Sequence, residues 1–72
     1  MTLLDRMRSE LMVEPKTIPE LCEQFGEIDE FKIMRGIAIL ESENVATIID
    51  YYKGFEPDGR AFYLARYARV NP

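Results

Sequence analysis

The sequence predicts an α+β fold in which three short helices precede a two-stranded β-hairpin. Three observations carry that expectation. Apolar residues recur at helical spacing as far as Leu40, in segments opened by threonine or aspartate caps. From Val45 the chain turns β-branched and aromatic. The tetrapeptide Glu56-Pro57-Asp58-Gly59 then divides that region into two strands.

The first helix is expected over about residues 2–13. Thr2 caps it, Asp5 sits in its first turn, and Leu4, Met7 and Leu11 form an apolar stripe, away from Arg6, Ser9 and Glu10. Glu14-Pro15 ends it, because a residue before proline is driven out of the α region. The second helix, about 18–25, opens on the capping box Thr17-Ile18-Pro19-Glu20, with proline in the first turn where its missing N–H is not needed. Ile18, Leu21, Cys22 and Phe25 supply its buried stripe, and Gly26 is expected as a left-handed C-cap. The third helix, about 30–43, starts from Asp29 as N-cap and closes at Asn44, a residue that tolerates positive φ. Its inward stripe is drawn through Phe31, Ile33, Met34, Ile37 and Leu40, leaving Lys32, Arg35, Gly36, Ile39 and Glu43 outward. A glycine inside a helix costs roughly 1 kcal/mol against alanine, which points to a close approach at Gly36.

The strands are expected at about 45–55 and 60–70. Proline presets φ at the second turn position and Gly59 supplies the positive φ of a bulged turn. That turn opposes Glu56 to Arg60 and, further along the ladder, Asp50 to Arg66, two opposite-charge pairs. One face then holds Val45, Ile49, Tyr51, Phe55, Tyr63, Ala65 and Tyr67. The other holds Ala46, Ile48, Tyr52, Phe62, Leu64, Ala68 and Val70 around the Asp50–Arg66 pair. Three helices cover one face of a ribbon, and the charged pair marks the second face as the outer one. Ile48, Tyr52, Phe62 and Leu64 are therefore expected to form an apolar interface, for a second copy or a protein partner.

With 72 residues the chain is read as one domain over residues 1–72. It has no histidine, one cysteine and two serines, Ser9 and Ser42, which excludes serine–histidine triads, histidine-ligated metals and a disulfide framework. No catalytic residue, metal, cofactor or small-molecule substrate is expected. The start lacks the apolar core of a signal peptide and Ile37–Leu40 is far too short to span a bilayer, so a cytoplasmic protein without membrane contact is expected. Cys22, on an apolar stripe, reads as a small core residue. The acids Glu27, Asp29 and Glu30 lack calcium-loop spacing and suit a helix N-terminus instead.

The helix–helix–helix–strand–strand order, with Leu40-Glu41-Ser42-Glu43-Asn44-Val45-Ala46 at the end of the third helix, resembles winged helix-turn-helix domains. Those domains commonly show a leucine, three polar residues, a glycine and two apolar residues there; Asn44 stands in place of the glycine. The resemblance implies double-stranded DNA as partner, the third helix in the major groove and the hairpin tip on backbone or minor groove. It makes Lys32, Arg35, Gly36 and Ile39 the candidate base-reading residues, and Lys53 and Arg60 the candidate wing contacts.

Charge pulls the other way. Nine bases face thirteen acids, for a net charge of −4. Residues 17–43 alone hold seven acids against Lys32 and Arg35. Phosphate neutralisation supplies most of a DNA binder's affinity, so the alternative is an acidic interaction module on the same scaffold that binds protein and not DNA. That module would bind through the wing or the acidic helices; separately, Lys32 and Arg35 also read as an ordinary solvated helix face, paired with neighbouring carboxylates.

Overall fold

The computed structural model describes residues 2–70; Met1, Asn71 and Pro72 of the expected 1–72 domain lie outside the described residues. The chain forms α1 (Leu3–Val13), β1 (Lys16–Thr17), α2 (Ile18–Gln24), α3 (Glu30–Ser42), β2 (Ala46–Phe55) and β3 (Ala61–Arg69). This is an α+β domain with three helices and a three-stranded antiparallel sheet of order β1-β3-β2.

The extra strand corrects the expected two-stranded sheet. Glu14 leaves the helix in an extended conformation before Pro15, and Thr17, as N-cap of α2, is extended as well. The residues between two helices are thus already strand-like. Their backbone groups find partners along the free edge of β3, with Lys16 opposite Tyr67 and Thr17 opposite Arg66.

Local capping follows the sequence closely at the helix starts. In α1 the Thr2 hydroxyl accepts from the Asp5 N–H at 3.2 Å, and the Asp5 carboxylate accepts from the Thr2 N–H. In α2 the Thr17 N–H donates to Glu20 Oε1 at 2.9 Å while Glu20 N–H donates back to Thr17 Oγ1. Asp29 accepts from the Phe31 N–H at 2.7 Å to open α3. At the end of α3, Asn44 takes φ 59°. Val45 N–H there reaches the Leu40 carbonyl and Asn44 N–H the Glu41 carbonyl, a Schellman closure.

Gly26 does not act as expected. Its φ is not positive; Gly59, at φ 90°, is the glycine with that geometry among the described residues. Phe25 closes α2 itself: its N–H bonds the Leu21 carbonyl, and its own carbonyl accepts from Ile28 N–H at 2.8 Å. The chain therefore turns without a left-handed residue.

The core gathers Met7 and Leu11 of α1, Leu21 and Phe25 at α2, and Ile33, Ile37 and Leu40 of α3 around Ala46 and Tyr67 of the sheet. Ile18, Cys22, Ile28, Val45 and Ala65 pack against it, half-buried. The helices thus cover the base of one sheet face. Ten residues of β2 extend about 33 Å at the rise of a strand, so the hairpin outruns the short helices beneath it.

The rotation of α3 differs from the sequence expectation. Its buried residues are Ile33, Gly36, Ile37 and Leu40, a strict i, i+3, i+4, i+7 stripe. Phe31 and Met34, expected inward, are 74% and 44% exposed. Gly36 turns in because α1 crosses directly over it: a Cβ there would stand 2.7 Å from Met7 Sδ.

In the hairpin, the pairing from Asp50 opposite Arg66 to Phe55 opposite Ala61 is the expected register. A β-bulge between Ile48 and Asp50 leaves Ile49 unpaired and shifts the ladder below it by one residue. Ile48 therefore opposes Tyr67 instead of Ala68, which moves it from the outer face to the core-side face.

Candidate nucleic-acid interface

α3 presents three of its four predicted base-reading residues. Lys32, Arg35 and Ile39 are exposed and, with Leu3 and Leu4 of α1, line a shallow groove along the α1–α3 seam. Gly36 forms the floor of that groove, buried beneath Met7. It is corrected from a contact residue to a packing residue, one that lets α3 lie close to α1.

The charges of α3 separate by flank. At 100° per residue, Glu30 and Glu41 project about 160–200° away from Lys32. The acids within α3 therefore lie away from Lys32, whereas the capping residue Glu43 falls on the Lys32 side, three turns further along. Among the described residues, Arg8, Lys16, Arg60 and Arg66 are held in ion pairs with Asp5, Glu14, Asp58 and Asp50. Lys32 and Arg35 are in none, so the neighbouring carboxylates that the solvated-face alternative requires do not engage them. Arg6 stacks on the Phe25 ring at 4.8 Å, and Arg69 reaches Met12 Sδ at 2.9 Å.

The two hairpin candidates differ. Lys53 is exposed with its ammonium 5.4 Å from the Phe55 ring centre and 5.9 Å from that of Tyr63, and it too has no ion pair. Arg60 bonds Asp58, at 2.6 Å, and not the expected Glu56. The turn explains the exchange. Glu56 and Arg60 are joined through their backbones, Glu56 N–H to the Arg60 carbonyl, while Asp58 Oδ1 accepts from the Arg60 N–H and lies beside its guanidinium.

The expected apolar interface is only partly assembled. Tyr52 and Leu64 oppose one another beside the Asp50–Arg66 pair, with Phe62 on the same face. Ile48 is displaced to the opposite face by the bulge. Tyr52 is 55% exposed, whereas Phe62 and Leu64 are half-buried. Phe62 lays its ring over Gly54, and Leu64 shares a shallow groove with Thr17, Pro19, Glu20 and Arg66. The Arg66 guanidinium forks onto both Asp50 oxygens at 2.5 and 2.6 Å. Those bonds hold the Asp50 carboxyl below its usual range.

Sequence reasoning missed the exposure of Phe31 and Met34 on α3, and of Tyr51, Phe55 and Tyr63 on the distal hairpin. Two signals were available. The strict heptad-like stripe runs through Gly36 and excludes Phe31, and nine- to ten-residue strands exceed what helices of at most thirteen residues can cover.

Cys22 is half-buried, and burial first, then the nearby Glu30, raises its thiol pKa, the opposite of an activated cysteine. Among the described residues no three Cys, Asp or Glu side chains gather as a metal site requires, and no helix is long and apolar enough to cross a membrane. Comparison with known proteins finds no matching family model, no matching curated protein and no matching solved structure.

Proposed function

We propose that this chain is a small DNA-binding domain of the winged-helix type, a transcriptional regulator or accessory DNA-binding factor that acts as a dimer. The observation that carries this reading is the placement of the unpaired cations. Four of the nine bases are in ion pairs, and Arg6 and Arg69 lie against the Phe25 ring and Met12, which leaves Lys32 and Arg35 on one flank of α3, and Lys53 on the hairpin. Arg35 is suited to a bidentate contact with guanine and Lys32 to a phosphate. Ile39, exposed beside them, offers an apolar contact for a thymine methyl group. The hairpin would serve as the wing, with Lys53 toward the backbone.

Three such cations per protomer neutralise few phosphates, which is why a second copy is part of the reading. The outer hairpin face around Tyr52 is its proposed contact. The log–log salt slope expected of each protomer is about −3. The decisive experiment is a gel shift on a random duplex pool at low salt, comparing the wild type with Lys32→Glu/Arg35→Glu. The double variant should lose retardation while keeping its melting temperature, because both residues are exposed. Unchanged retardation refutes the α3 assignment.

A second reading has its own observation. Phe31 and Met34 lie exposed on α3 beside Arg35, an apolar pair that solvent does not favour. An acidic protein-docking module that does not bind DNA would use them. Absence of binding to any duplex at low salt favours that reading.

A further inference from the structure

The distal hairpin carries an aromatic face of which the duplex reading uses Lys53 alone. Directly opposed residues of an antiparallel pair share a face, so Tyr51, Lys53 and Phe55 of β2 stand with Ala65, Tyr63 and Ala61 of β3. Tyr51, Phe55 and Tyr63 are 62%, 65% and 61% exposed. This is the extension of the core-side face, beyond the reach of the helices. Alanines oppose Tyr51 and Phe55, so each of those rings faces a small neighbour across the ladder. Tyr63 opposes Lys53, whose ammonium lies within 6 Å of two ring centres. The result is three rings alternating between strands, two of them, Phe55 and Tyr63, about one cation.

We infer that this face is a stacking platform for unpaired bases of single-stranded nucleic acid. Exposed rings interleaved with a cation are what such binding uses: bases stack on the rings and the ammonium meets the phosphate chain. The charge distribution selects this occupant. The acid within the paired strands, Asp50, is on the opposite face and bound by Arg66, and Asp58 of the turn is bound by Arg60. The platform thus offers a cation with no carboxylate attached. A second copy fits it poorly, because a symmetric face-to-face contact would bring two Lys53 side chains together. The outer-face dimer proposed above leaves the platform open. The inference deepens the DNA-binding reading but does not use the α3 residues, so the two are separable.

The test uses a twelve-residue oligothymidylate and an abasic oligonucleotide of the same length and charge. The chain has four tyrosines and no tryptophan, so tyrosine quenching reports stacking directly. At low salt the wild type should bind the oligothymidylate with quenching, and the abasic chain much more weakly. Tyr63→Ala and Phe55→Leu should each weaken binding by roughly 5- to 150-fold, the loss of one stacked base. Tyr63→Phe should retain affinity. Phe55→Leu keeps the site apolar, so its failure to bind distinguishes stacking from general apolar docking. Lys32→Glu/Arg35→Glu should lose duplex retardation and keep oligothymidylate binding. Equal affinity for the abasic chain, full affinity in Phe55→Leu, or no binding of oligothymidylate at low salt overturns the platform. So does sedimentation showing a dimer that Phe55→Leu dissolves.

Discussion

Replacing Gly36 with alanine separates two placements of that residue by the sign of the effect. On a solvent-facing helix surface the change should stabilise by about 1 kcal/mol, since alanine is the better helix former. In the structure the new methyl would lie 2.7 Å from Met7 Sδ, 3.2 Å from Met7 Cε and 3.5 Å from Leu4 Cδ2. Met7 is fully buried, so its flexible thioether has no solvent to retreat into. Overpacking of this kind costs about 1–3 kcal/mol. Set against the helix-propensity gain, the net is a loss centred near about 1 kcal/mol. For a domain of this size that lowers Tm by about 4–8 °C. Thermal unfolding followed by circular dichroism measures it. Met7→Val removes Sδ and Cε, so Gly36→Ala introduced into that background should be neutral or stabilising. A raised Tm for Gly36→Ala in the wild-type chain would refute the close α1–α3 crossing and return Gly36 to the exposed face.

Acid should weaken the fold through three carboxylates. Asp5 and Glu20 are held below their usual pKa by capping bonds with Thr2 and Thr17, and Asp50 by Arg66. A lowered folded-state pKa gives stability that is present above the unfolded value and lost as pH falls through the folded one. The midpoint of urea unfolding should therefore fall below about pH 4, and fall less steeply in Asp50→Asn; a flat profile between pH 5 and 2 contradicts it. Gly59→Ala meets no neighbouring atom yet should destabilise by about 1 kcal/mol, because φ is 90° and alanine avoids that region. An unchanged Tm would show that the turn relaxes to another form.

The features readable along the chain are those fixed by neighbours a few residues away. The Thr2 cap, the capping box Thr17–Glu20, the Asp29 cap, Asn44 at positive φ and the Gly59 turn all depend on contacts within a single turn. The Asp50–Arg66 pair was legible too, since the turn sets the register and the ladder counts outward from it. That counting fails where a residue is added without a local signature. Ile49 is β-branched and apolar like its neighbours, so the bulge that turns Ile48 to the other face is invisible in the pattern.

What the tertiary structure decided is how the elements present their surfaces. The rotation of α3 follows from the crossing of α1, which needs the one position without a side chain and so draws Gly36 inward and expels Phe31. Strand β1 exists because β3 has a free edge beside two residues left extended between helices. The cationic flank of α3 is defined by which bases meet a carboxylate, and Arg60 chose Asp58 over Glu56 through a turn geometry that spacing does not encode. Composition established that the chain is acidic. Only the packing showed that Lys32, Arg35 and Lys53 are in no ion pair among the described residues, because charge neutralisation acts over a few ångströms of space and not along the sequence.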